Sequence, residues 1–248
     1  MTAVPLAAPP RRRGPVAHTA ARIGRVNLLY LAWFWAVVAP SFAVVTLVLA
    51  RIGGSVDAAV ILYSRHGAIW FPFAQAIALV ATYLPVHAAA GMTRRTFARA
   101  TLVVAVGTGL AYAAVLSALA ALERELHHAA GWGWRVTDAL LASEVSPPGL
   151  LLADLALTCV VANVSGLLVG AAYQRLGGWW GTLALPLTAG PVVAVLTLLG
   201  GVGDGGPPGR LSWAAATPAL LGSLLVVTVV AAAYAAVVTR TPVRPVTR

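Results

Sequence analysis

The chain has 248 residues, of which 60% are apolar and only 10% charged, and its mean hydropathy is +0.86. A soluble domain carries about 25% charged residues, so this composition leaves too little polar surface for one and excludes the water-soluble classes. The net charge is +10, but all the basic residues are Arg and most lie between apolar runs, which argues against a nucleic-acid-binding face.

Met1–Pro15 is rich in Pro, Ala and Arg and is expected to be a disordered basic arm. Val16–Asn27 mixes apolar residues with Arg22 and Arg25 and predicts a helix lying along the membrane surface. Six apolar runs follow: Leu28–Ala50, Trp70–Ala90, Ala100–Leu122, Leu150–Tyr173, Trp179–Leu199 and Trp213–Val238. Each has the roughly 20 residues that a helix needs to cross a bilayer. Inside hydrocarbon the backbone must satisfy its own hydrogen bonds, so each run is expected to be helical. The first run is too long for the core of a signal peptide and is expected to be a retained span. The fold class is therefore all-α integral membrane. Residues 16–238 form one transmembrane domain and 239–248 a polar tail. The single Cys159 lies in the fourth run, which leaves no partner for a disulfide within the chain.

An even number of spans puts both termini on one side. That side holds Arg11, Arg12, Arg13, Arg22, Arg25, Arg94, Arg95, Arg99, Arg175, Arg240, Arg244 and Arg248. The other holds Arg51, Arg65, Arg124, Arg135 and Arg210. Twelve against five predicts cytoplasmic termini, because Arg and Lys accumulate in cytoplasmic loops. The acidic Asp57, Glu123, Glu125, Asp138, Glu144 and Asp204 all fall on the opposite side. Trp33, Trp35, Trp70, Trp179, Trp180 and Trp213 lie near run ends and are expected as interfacial anchors. The loop Glu123–Gly149 has room for a short helix over Arg135–Ser143.

Few motifs carry chemistry. Gly201, Gly203 and Gly206 spell a dinucleotide fingerprint, but a span precedes them and Pro207–Pro208 follow, so an external turn is expected. A phosphate-binding loop of the G-x-x-x-x-G-K-[ST] type is impossible without Lys. Asn163-Val-Ser165 matches a glycosylation site but lies within a span. Ser165 has no base beside it in sequence, the one His within a run being His87. Ala162, Gly166 and Gly170 form a small-residue stripe that lets helices approach closely. Asp154 lies about one turn into the fourth run. That depth favours a structural or interfacial role, and an intramembrane polar site is the other reading. Glu123 and Glu125 are expected to be solvated, and the adjacent His127 and His128 lack the further ligands a metal needs.

Between the second and third runs the chain reads His87-Ala-Ala-Ala-Gly91-Met-Thr93-Arg94-Arg95-Thr-Phe97. This resembles the G-x-[ST]-R-R-x-x-[FY] turn of permease subunits in the type-2 exporter class of ABC transporters, with the aromatic one residue earlier. Leu122-Glu123-Arg124 followed by Gly131-Trp132-Gly133, and the stretch Gly166–Gly177 with Tyr173 and Arg175, are similar to small actinobacterial members of that class. The resemblance implies a dimer, or a pairing with a paralogous permease, that docks separate ATPase subunits. It also implies that Gly91, Thr93, Arg94, Arg95, Phe97 and Arg99 form the turn that receives their motion, with Val16–Asn27 beside it. ATP and Mg would sit in the partner, so that this chain binds no cofactor, has no catalytic or metal site and is no enzyme alone. The location implied is the plasma membrane of a bacterium, with the lipid bilayer as a partner and nucleic acid excluded. The other classes that fit the sequence are a membrane anchor or assembly protein without transport, and a secondary carrier.

Overall fold

The apolar runs fold as helices throughout the computed structural model, which describes residues 14–136, 148–204 and 213–240. Helix α1 spans Pro15–Gly53, and a 3₁₀ turn over Val60–Ser64 leads into α2, Arg65–Ala89. Next come α3 (Arg94–Ala129), α4 (Pro148–Leu176), the six-residue α5 (Gly178–Leu183), α6 (Leu185–Asp204) and α7 (Trp213–Arg240). Among the described residues there is no strand, and one isolated bridge joins Ala58 to Arg135. Six segments are long and apolar enough to cross a membrane; the 3₁₀ turn with α2, and α5 with α6, each count as one. This is a multi-pass helical membrane protein.

The chain alternates between two ends of the bundle. One end carries the start of α1, the α2–α3 turn, the α4–α5 junction and the close of α7; it is called the arginine end here. The other carries the 3₁₀ turn and the close of α3 with Glu123, and is called the glutamate end.

Helix α4 is the axis. It packs against α2, α3, α6 and α7, and 89% of its apolar window is buried, against 6% for α1. In hydrocarbon an apolar face has no drive to be buried, so the interior span is set by its small and polar residues. The polar residues within α4 obey the same geometry, since Asp154, Thr158, Asn163 and Ser165 are all buried. Gly166 and Gly170 set the closest approach. A Cβ on Gly166 would run into the Phe73 carbonyl, and one on Gly170 would lie 2.9 Å from the Ile77 carbonyl oxygen. On the α3 side, a Cβ on Gly109 would come within 2.8 Å of the Val160 backbone. Small residues thus let α2 and α3 seat directly on α4.

Helix α1 stands at the periphery, against α3 and the 3₁₀ turn. Asn27 Nδ2 donates to Thr108 Oγ1 at 3.2 Å, and Phe34 stacks on Phe71 of α2 at 5.2 Å. The surface helix expected over Val16–Asn27 is not a separate element. It is the opening of α1, which runs without a break from Pro15 at its first turn, a position that suits Pro because no backbone N–H is needed there. At about 1.5 Å per residue, the 39 residues of α1 reach far beyond a hydrocarbon layer of about 30 Å.

This early start also moves the aromatic residues. Trp33 and Trp35 fall mid-helix, and Trp35 is 7% exposed, packed on Phe34 and Tyr112; it is core and not an interfacial anchor. Trp70, Trp179, Trp180 and Trp213 remain exposed. The fifth run is interrupted at Ala184, because Pro186 has no N–H to continue the helix. At its far end Gly201 and Gly203 are helical, not part of a turn. Gly206 lies outside the described residues, as does all but the first two positions of the helix expected over Arg135–Ser143. Arg135 itself sits in the extended bridge.

Candidate functional site

The turn between α2 and α3 is built from local hydrogen bonds. Gly91 N–H donates to Ala88 O at 3.1 Å and Met92 N–H to His87 O at 3.2 Å. This is the paired closure that ends a helix with a left-handed residue, and Gly91 supplies it at φ +72°, where a side chain would be strained. Helix α3 starts at once. Thr93 caps it by accepting from Thr96 N–H at 3.2 Å, as a short hydroxyl side chain does at this position. Phe97, fully buried, then anchors the turn by packing on the His87 ring at 5.2 Å and on the cluster that contains Leu84 and Ile23. The result is a tight corner fixed to the bundle, with the opening of α1 beside it through Ile23.

The charges of this corner point away from the anchor. Arg95 and Arg99 are exposed and Arg94 is half-buried, and none of the three makes an ion pair among the described residues. Arg22, Arg25, Arg175 and Arg240 are exposed at the same end. Every acidic residue described belongs to the opposite end. The arginine end is thus a one-sign surface whose guanidinium groups are available to carboxylates, phosphates or backbone carbonyls.

The glutamate end is closed by polar contacts instead. Glu123 was expected to be solvated, yet it is half-buried. Its Oε1 accepts from Ile61 N–H at 3.0 Å and its Oε2 from Trp134 Nε1 at 3.4 Å. It therefore holds the first turn of the 3₁₀ segment to the strand-like stretch after α3. Asp57 clasps the same stretch through Gly133 N–H at 3.1 Å and Arg135 at 3.2 Å. His127 Nδ1 donates to Gly133 O at 2.9 Å. Glu125 and His128 are exposed.

Asp154 does not reach the surface of the bundle. It is 0% exposed, and Thr158 Oγ1 donates to it at 3.2 Å. Its place inside the bundle is something that depth along the sequence cannot reveal. Arg65 is buried as well, 5% exposed. Ala162 lies in the same apolar layer as Cys159 and Ala68. Gly166 and Gly170 lie on the α2–α4 contact, within this chain.

Arg65, Glu123 and Asp57 escaped the sequence reading as structural groups, because charged residues beside span ends look solvated until the loops that cover them are in place. One signal was available: α4 is the span that carries Asp, Asn and Cys together, and polar groups in a span turn inward. Comparison of the chain with protein-family models, curated proteins and solved structures finds no match.

Proposed function

We propose that this chain is the transmembrane subunit of an ATP-driven ABC exporter, which pairs into a dimer and couples to separate ATPase subunits at its arginine end. The observation that carries the reading is the α2–α3 corner. It is short and capped at both sides. Phe97 pins it to the bundle core, and Arg94, Arg95 and Arg99 have no ion pair of their own among the described residues. A corner of this kind passes a push from a soluble partner into α2 and α3 without bending. Since α1, α4 and α7 pack on α3, and α2 and α3 seat on the buried axis α4, the push reaches those helices directly and α5 and α6 through α4. The reading places both termini and the corner in the cytoplasm of a bacterial cell, and leaves the chain without nucleotide, metal or catalytic group.

The test replaces Arg94 and Arg95 together by Gln, and in a second variant by Lys. Association with the ATPase, or stimulation of its hydrolysis, is expected to fall in both. Lys keeps the charge that lipid and topology read but lacks the planar fork of Arg. Full association and stimulation in the Gln variant would leave the corner a topological marker and remove the reading's main support.

A secondary carrier is the second reading, and the buried Asp154 and Arg65 favour it, since ionisable groups inside a span are the usual ion-coupling devices. Asp154→Asn separates the two. An ATP-driven exporter keeps its transport and its pH profile, whereas a proton-coupled carrier loses both.

A further inference from the structure

Tyr234 reaches from α7 to the back of the α2–α3 corner. Its OH lies 2.7 Å from Thr101 Oγ1, one turn beyond Phe97 on α3, and both residues are fully buried. The Thr101 hydroxyl in turn lies 2.9 Å from the Phe97 carbonyl oxygen and 3.1 Å from that of Ala98. A hydroxyl has one proton to give. If Thr101 gave its proton to Tyr234, the Tyr234 proton would have no acceptor among the described residues, and a buried bond left unmade is costly. Tyr234 therefore donates to Thr101, and Thr101 donates to the Phe97 carbonyl. Phe97 is the residue that pins the corner, and it shares a core cluster with Tyr234, Leu84 and Ile23.

Two observations give this bond a role beyond packing. Among the described residues Thr46, Thr217 and Thr228 each bond only a carbonyl of their own helix, whereas Thr101 also takes a bond from another span. Helix α7 also stands where movement of the corner has to pass. Among the described residues α6 packs on α4, α5 and α7 but not on α3, so movement of α3 reaches it through α4 or α7. Apolar packing tolerates a small slide of one helix along another. A buried hydrogen bond depends on distance and angle and resists such a slide.

We propose that Tyr234 is a positioning residue that makes α7 move with the α2–α3 corner, through the chain from Tyr234 O–H to Thr101 O–H to the Phe97 carbonyl. The link is a property of the bundle. That a soluble ATPase drives it rests on the exporter reading.

The first test needs no ATPase. Hydrogen exchange is followed by mass spectrometry on the purified full-length protein in mild detergent. Thr93→Ala removes the cap of α3 and loosens the corner. It is expected to raise exchange about fivefold in residues 91–99 and also in the last turns of α7, residues 232–240. Fivefold is about the change that one hydrogen bond of ordinary net strength makes in an equilibrium. Tyr234→Phe keeps the ring and removes only the hydroxyl. In that background Thr93→Ala should still loosen the corner but leave exchange in α7 where Tyr234→Phe alone sets it. Thr101→Ser, which keeps a hydroxyl, should transmit like the parent, and Thr101→Val should not. Transmission to α7 that survives loss of the Tyr234 hydroxyl, or none in the parent background, overturns the proposal.

The second test uses the complex purified from the native host. Tyr234→Phe leaves Arg94, Arg95 and Arg99 untouched, so the ATPase should be retained in the parent amount while its hydrolysis of MgATP falls about fivefold. A variant that simply folds less well would lose both together. Parent-like hydrolysis by the Tyr234→Phe complex overturns the proposal. A parent protein that retains no ATPase overturns the exporter reading instead, and the exchange experiment still decides the link.

Discussion

Glu123 holds two donors that have no other partner among the described residues, Ile61 N–H and Trp134 Nε1. Glu123→Ala leaves both unsatisfied in a half-buried place, and the expected loss of stability is about 1–3 kcal/mol, read as a lower unfolding temperature in mild detergent. Glu125→Ala, two residues away and exposed, should change little, so the pair measures the clasp and not the charge. An equal effect of both substitutions would mean that Glu123 acts only as a surface charge. The contrast also shows where sequence reading stops at this scale. Glu123 and Glu125 look alike as the last charges of an apolar run, and only the return of residues 131–136 over the helix end distinguishes them. Asp154 is a similar case: its position in the chain suggests a shallow group, and its helical face makes it an interior one. Phe97, by contrast, could be read directly, since an apolar ring three residues into a capped helix has nowhere to go but the core.

At the scale of the element, the long runs leave little choice of structure, and the six spans follow from hydropathy alone. Their partners do not. That α4 is the axis depends on which run carries polar groups that must turn inward, and the small residues Gly109, Gly166 and Gly170 mark the contacts once the neighbours are known. Gly166→Ala should destabilise the bundle by about 1–3 kcal/mol through overpacking against Phe73. Gly107→Ala, where an added Cβ meets nothing, should instead be neutral or stabilising by up to about 1 kcal/mol, because Ala is the better helix former. Both are measured as thermal unfolding of the purified protein. A Gly166→Ala variant as stable as the parent would contradict the close α2–α4 contact. The start of α1 was the element least open to sequence reading. Arg22 and Arg25 break the apolar pattern without breaking the helix, since neither residue disfavours helical backbone and the side chains extend outward.

For the whole molecule, the two ends differ in kind: one displays arginines without carboxylates, the other is tied down by Glu123 and Asp57. Orientation follows from the charge asymmetry. In a Cys159→Ala background, Ser55→Cys at the glutamate end should react with an impermeant thiol reagent in intact cells, and Leu176→Cys at the arginine end only after lysis. The reverse pattern would invert the protein and put its arginines out of reach of any cytoplasmic ATPase. The measurement that bears most directly on the proposed function is the composition of the complex itself. The protein is purified from its native host in mild detergent through a tag at its C-terminus, and the proteins retained with it are quantified by mass spectrometry. The exporter reading predicts a soluble subunit with a phosphate-binding loop of the G-x-x-x-x-G-K-[ST] type, retained in stoichiometric amount and released by the Arg94→Gln, Arg95→Gln double variant. Purification of this chain with no such ATPase, at a yield where a stoichiometric partner would be seen, would contradict it.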